Sequence, residues 1–396
     1  MRAVDSLLRE PDQFIRFVHA SRRRSIWRAV KGLLKGGRLW LTALGRDLPG
    51  ETSDKHRIKA ADRLLGNAKL HRDLLAMYRA RAAWLLRSES RPVLSVDWTG
   101  VVGPFYALSA GLCCVGRSVP LYSEVHLKAR METRAVHRRF LVRLKAVLPE
   151  NCRPIIITDA GFYADWFDDV GKHGWDFIGR VRGRVHAFLG NAWVSVKTLY
   201  DRATRRPKNV GIVRMRKKQP VEFRMVLAAA PKSKGRHRFT RKGTIGGRTQ
   251  DKKYRAQMTE PWLLATSLNS QSKFIVRTYS LRMQIEETFR DTKNHRYGWA
   301  LGDCRSRSAK RLEVLLFIAA LAYVLVEMVG RVAENQNIHH RFQANTVRNR
   351  RVLSLFFLGR LVLHSPDGEL DATSLSQAFR DILNIVHAHG QLVVGG

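Results

Sequence analysis

Acidic residues are scarce in this chain. Asp and Glu number 33 against 71 Lys and Arg, giving a formal charge of +38 over 396 residues. An excess of that size repels itself unless a polyanion neutralises it, and nucleic acid is the obvious one, with acidic phospholipid the weaker alternative. Cysteine is scarce as well. Cys113, Cys114, Cys152 and Cys304 form no C-x-x-C pair, which argues against a zinc ribbon or a disulfide scaffold and suits a reducing compartment. Long apolar runs are missing too. The longest, Val314 to Val326, has 13 residues between Glu313 and Glu327, short of the roughly 20 needed to cross a bilayer. A buried core helix is expected there. The amino-terminal MRAVDSLLREPDQF has no apolar run with a cleavage site. A soluble, cytoplasmic protein without a membrane partner is the expectation.

Hydrophobic residues make up 45% of the chain, enough for a real core, and the length suits two or three domains. Residues 1–88 read as helical, with 20 Lys/Arg against 8 Asp/Glu. Two short helices are expected around the turn-like Leu48-Pro49-Gly50-Glu51-Thr52-Ser53. Ser53 or Asp54 is placed to cap the second, DKHRIKAADRLLGN. On it Lys55, Arg57, Lys59 and Arg63 suit phosphate or base contacts, while Ile58, Ala61, Leu64 and Leu65 suit the interior. A solvated basic face is the bland alternative. After Arg91 the pattern changes. PVLSVDW, PFYALSA and VPLYSEV read as strands, followed by a helix at about 134–148, the strand PIIITD, a helix at about 164–172 and the strand WDFIGRVR. Such an order predicts an α/β fold, a mixed sheet with helices on its faces. Short strand-like runs return between about 184 and 268. They include a segment at 232–255 with ten Lys/Arg against the single acid Asp251, expected to be a mobile loop. Helices dominate from about Thr278.

Two aspartates end apolar strand-like runs: Asp97 after Val93-Leu94-Ser95-Val96, and Asp159 after Ile155-Ile156-Ile157-Thr158. Either alone reads equally well as a turn or a helix cap. A third acid lies in YSLRMQIEETFRDTK. At about 100° per residue, a helix there puts Tyr279, Arg282, Glu286 and Lys293 within one ~60° stripe, away from Glu287 and Asp291. A carboxylate among a phenol, a guanidinium and an ammonium fits a divalent-cation site that meets phosphate. Three carboxylates can hold two hard cations at about the spacing in-line phosphoryl displacement needs, ~3.5–4 Å. Arg282 and Lys293 would then hold flanking phosphates, and Tyr279 would donate to a phosphate oxygen. A solvated face with an i,i+4 Arg–Glu pair is the competing explanation.

The spacing Y-x2-R-x3-E-x6-K over Tyr279, Arg282, Glu286 and Lys293 resembles the signature of bacterial insertion-sequence transposases with a DDE, RNase H-like catalytic core. The likeness extends over LTALGRDLP, KHRIKAADRLLGN, SVDWTG, TDAGF, GRVRGRV, EPWLLAT and FQANTVRNRRVLS. It implies that Asp97, Asp159 and Glu286 form the catalytic and metal-binding triad, with two Mg2+ as cofactor and Mn2+ able to substitute. It implies that Tyr279, Arg282 and Lys293 contact DNA. Trp262 would stack on a base flipped out during hairpin formation, and core packing is its ordinary alternative. Trp98 is a weaker candidate for the same pocket. The implied organisation is a helical DNA-binding domain at 1–88, an RNase H-like core at 89–330 with a β-rich insertion at about 184–268, and a helical carboxy-terminal region at 331–396 that could serve dimerisation. The implied partners are double-stranded DNA, as terminal inverted repeats and target, and a second copy in a synaptic homodimer. The basic segment 232–255 would lie along DNA beside the active site, and 348–351 would do likewise or form an exposed helix face. A DNA-binding regulator without catalysis, or a non-specific nuclease, would share the charge but differ in cleavage.

Overall fold

The computed structural model describes residues 12, 14–87, 89–183, 185–231, 259–344, 346–365 and 370–394. The basic segment 232–255 lies outside them. Two compact units account for the rest: the chain up to Pro154 together with Leu281–Gly390, and Ile155–Ser280 with the residues from Gln391.

Among the described residues of the first unit four helices precede any strand: α1 (Ala20–Gly36), α2 (Leu41–Arg46), α3 (Asp54–Leu65) and α4 (Ala68–Leu85). The helical reading of this segment holds, with more helices than the two expected. On α3, Ala61, Leu64 and Leu65 are buried and Ile58 half-buried. Ser53 occupies the cap position, but its hydroxyl lies 2.8 Å from His56 Nδ1 rather than bonding a backbone amide. These helices do not separate as a unit of their own. Arg81 on α4 shows how they are tied in. Its buried guanidinium donates to the carbonyls of Pro120 and, at 2.9 Å, Ala320.

An antiparallel meander follows: β1 (Val93–Val102), β2 (Phe105–Cys113) and β3 (Ser118–Leu127), then α5 (Arg134–Val147). Side chains alternate across a strand, so the neighbours Asp97 and Trp98 leave β1 on opposite faces. After Ile155–Ser280 the chain re-enters this unit as α8 (Met283–Lys293), α9 (Ala309–Asn335), α10 (Leu355–His364) and most of α11 (Ala372–Val394). Helix α9 contains the long apolar run. By length and composition it could cross a membrane, yet 89% of its most apolar stretch is buried inside the protein. It is the expected core helix. Two glycines let α10 approach it. A Cβ on Gly330 would stand 2.1 Å from the Leu355 carbonyl oxygen, and one on Gly359 2.1 Å from that of Val326.

In the second unit β4 (Ile155–Thr158) runs parallel to β5 (Asp176–Val181), joined by α6 (Ala164–Lys172). The expected β-rich stretch follows as β6 (His186–Leu189), β7 (Ala192–Ser195), β8 (Lys208–Met215), β9 (Val221–Ala228) and β10 (Trp262–Thr266), then α7 (Ser272–Ser280). The strand order is β4-β5-β10-β9-β8-β6-β7, antiparallel after the first pair. Phe167 of α6 stacks on Phe177 and meets Phe223 edge-on, forming this unit's aromatic core. Meander, helix, strand, helix, strand is the order of an RNase H-like mixed α/β fold, as expected from the sequence.

Candidate active site

Asp97 does not end its strand. It is the fifth residue of β1, paired with Ser109, and β1 continues because Trp98 and Thr99 pair with Leu108 and Ala107 before the chain reverses at Gly103. Its Oδ1 accepts from the Trp98 amide at 2.7 Å. Asp159 does follow the last residue of β4. Its Oδ1 accepts from Gly161 N at 2.8 Å, closing the turn that leads into α6.

The helix expected over Tyr279–Lys293 is interrupted. Helix α7 ends at Ser280, Leu281 and Arg282 form a turn, and α8 starts at Met283. The ladder tightens there: Gln284 N donates to Leu281 O at 2.9 Å, an i to i−3 contact, and the Ser280 hydroxyl caps the Arg277 carbonyl at 2.6 Å. Tyr279 therefore does not share one helix with the other three signature residues.

Within the first unit Asp97, Arg282, Glu286 and Lys293 are brought together. Arg282 Nη1 lies 2.7 Å from Glu286 Oε1 and 3.8 Å from Asp97 Oδ2. The guanidinium and the Asp97 carboxylate are largely buried, whereas the Glu286 side chain is 41% exposed. Lys293 donates from Nζ to Thr99 Oγ1 at 2.7 Å. Burial lowers its pKa, and the Asp97 charge opposes that shift. Two carboxylates and two cations thus alternate along one face, so each charge has a neighbour of opposite sign.

Within the second unit Trp262, the first residue of β10, meets Tyr279 of α7 edge-to-face with ring centroids 4.9 Å apart. Both the strand pairing of Trp262 with Ala228 and this ring contact are structural roles, and its ring is half-buried. Trp98 turns away from Asp97: its Nε1 donates to His137 Nε2 on α5 at 3.1 Å, and its ring meets His126 edge-on. It does not line the site.

Among the described residues no three His, Cys, Asp or Glu side chains gather into a metal-binding group. The donor chemistry nevertheless suits a hard cation. Asp97 and Glu286 offer carboxylate oxygens, and the charge between them is met by a guanidinium, which a divalent ion can replace. The four cysteines are buried and free, and burial pushes the thiols of Cys113, Cys114 and Cys152 up to about 12.

The family model for the transposase DDE domain matches residues 88–325. The chain belongs to the DDE transposase family. Its matched region takes in Asp97, Asp159 and Glu286. Members of this family are transposases, act on DNA and generally use divalent metals. No curated protein matches the chain.

A set of site-supporting residues escapes the reading from the signature. Gln284, Thr288 and Asp291 are buried on the side of α8 away from Glu286. Their spacing, i, i+4 and i+7, is where an amphipathic helix carries apolar residues. Polar side chains at those positions are the signal that could have found them.

Proposed function

We propose that this transposase is a cut-and-paste enzyme that binds the terminal inverted repeats of its own mobile element. Its signature segments are similar to those of the transposase of the tetracycline-resistance composite transposon. The observation that carries the reading is the Arg282 guanidinium shared by Asp97 and Glu286, acids far apart in sequence, with Lys293 alongside.

The reaction is a series of in-line displacements at phosphorus. Water attacks first, and the departing 3′ oxygen takes a proton to become a 3′ hydroxyl. That hydroxyl attacks the opposite strand and forms a hairpin, which a second water opens. The released 3′ hydroxyls finally attack target DNA. Divalent cations, Mg2+ or Mn2+, would be held by Asp97, Asp159 and Glu286 and, when bound, would supply the charge that such transfers need. Arg282 binds a flanking phosphate through its fork, exchanging a carboxylate for a phosphate oxygen, and Lys293 adds a point charge. Tyr279 donates its hydroxyl to a phosphate, and Trp262 stacks on an unpaired base. A homodimer holds the two ends, in the cytoplasm of a bacterial cell.

The test incubates the purified protein with Mg2+ and DNA carrying the sequences that flank its own gene. Hairpin-ended fragments are expected, and Glu286→Ala should abolish them while binding persists. Cleavage without preference for those ends points to a non-specific nuclease. Binding with no cleavage by the unaltered protein points to a regulator. Wild-type cleavage by the Glu286→Ala variant refutes the site.

A further inference from the structure

We infer that the β2–β3 hairpin loop, Cys114 to Arg117, together with Ser118 at the start of β3, is a positioning device for Glu286, acting through a buried polar seam on the back of α8. The inference rests on the active-site reading above. At about 100° per residue, Gln284 and Thr288 each lie ~200° around the helix from Glu286, on the opposite face. Glu286 is half-buried with a side chain 41% exposed, whereas Gln284, Thr288 and Asp291 are each at most 7% exposed.

Each of the three is bonded to the loop or to the first residue of β3. Gln284 grips Cys114 twice, its Nε2 donating to the carbonyl at 2.8 Å and its Oε1 accepting from the amide at 2.7 Å. One turn on, the Thr288 hydroxyl accepts from Ser118 N at 3.0 Å and donates to Ser118 O at 2.8 Å. A further turn on, Asp291 Oδ2 accepts from Arg117 Nε at 2.6 Å and from the Tyr323 hydroxyl at 3.0 Å. The loop is itself held, since His389 of α11 donates to the Cys114 carbonyl at 2.8 Å. Ser118 abuts Gly111, where a Cβ would stand 2.4 Å from the Ser118 hydroxyl oxygen.

An apolar face would bury α8 equally well but would let it rotate or slide, because hydrophobic attraction has no direction. Hydrogen bonds lose strength steeply with angle and distance. Bonds at three successive turns therefore fix both the rotation and the axial position of α8. The strand that carries Asp97 is paired to β2, the strand that leads into the loop. The loop thus sets the distance between the β1 acid and the α8 acid, and catalytic groups need such placement to within about 0.5 Å.

The test separates shape from hydrogen bonding. Thr288→Val keeps the shape of the side chain and removes the hydroxyl, Thr288→Ser does the reverse, and Gln284→Met removes both bonds to Cys114. Each full-length variant is assayed with Mg2+ on terminal-repeat DNA, well below its own unfolding midpoint, for DNA affinity and for the single-turnover cleavage rate. Thr288→Val and Gln284→Met should each cut about 10–100-fold more slowly with DNA affinity within about twofold of wild type. Thr288→Ser should recover most of the rate. Wild-type rates in both slow variants overturn the inference, as does an equal loss in Thr288→Ser. If Thr288→Val fails to fold, Gln284→Met decides. If neither folds, the seam is structural only and the inference fails. Glu286→Ala runs alongside: activity surviving in that variant rejects the site itself, whereas loss there with none in the seam variants rejects only the positioning role.

Discussion

Arg282 Nη1 lies 2.7 Å from Glu286 Oε1, one turn along the same stretch of chain, and 3.8 Å from Asp97 Oδ2. An i,i+4 pair at a surface contributes only a few tenths of a kcal/mol. Here one guanidinium serves two acids and is itself 13% exposed, so its larger role is to neutralise carboxylates that would otherwise repel each other. A divalent cation entering this site must compete with it. Arg282→Gln should bind Mn2+ several-fold more tightly than wild type in the absence of DNA, as read by calorimetry. The same variant should cleave DNA more slowly, having lost a phosphate ligand.

Lys293 is half-buried beside Thr99, and burial lowers its pKa while Asp97 opposes the shift. If it meets a DNA phosphate, Lys293→Met should reduce the dependence of log K on log salt concentration by about one unit of slope. Binding at one salt concentration would not distinguish this from a general loss of affinity. A titration series from low to high NaCl does.

Much of this architecture is legible in the sequence because alternation and strand-length apolar runs survive tertiary packing. Residues 93–127 read as three strands and fold as three, and Ala164–Lys172 is helical over the span expected. The end of β1 is misplaced because Asp97 looks like a terminator, whereas cross-strand pairing to Ser109 carries the strand past it. The break at Leu281–Arg282 has no Gly or Pro to announce it, so periodicity alone runs the two helices together. The stripe expected to include Tyr279 fails for that reason. The Arg282–Glu286 contact is readable because it is local. The contact of Arg282 with Asp97 depends on how α8 lies against β1, and no spacing rule encodes that.

Gly359 and Gly171 offer opposite outcomes for the same substitution. A methyl at Gly359 would meet the Val326 carbonyl oxygen at 2.1 Å, backbone that cannot step aside without parting α9 and α10. Gly359→Ala should destabilise by roughly 1–3 kcal/mol, the usual cost of overpacking. Gly171, in α6, has no positive φ, and a methyl added there would meet nothing within 4 Å. Gly171→Ala should stabilise by about 0.5–1 kcal/mol through helix propensity. Urea unfolding of the two variants checks both signs.

Glu327 is buried on α9, and its Oε1 has no hydrogen-bond partner among the described residues. Burial first, and the nearby Asp291 second, push its pKa up to about 8, against the opposing pull of Arg117, Arg331 and Arg351. The folded state therefore holds this proton more tightly than the unfolded chain, whose glutamate titrates near the ordinary value of 4.5. Below that value both states hold the proton and ionisation makes no difference to folding. As pH rises from about 4.5 to about 8 the unfolded state gains by ionising while the folded state does not, so stability falls. Beyond about 8 both states are ionised and the loss levels off. Glu327→Gln keeps the shape and cannot ionise. It should match wild type near pH 4 and exceed it by roughly 2–4 kcal/mol at pH 9, with the difference opening across that window. Unfolding midpoints of both proteins, measured at intervals over the range, test the claim. Parallel curves would show that Glu327 is ionised in the folded protein at neutral pH.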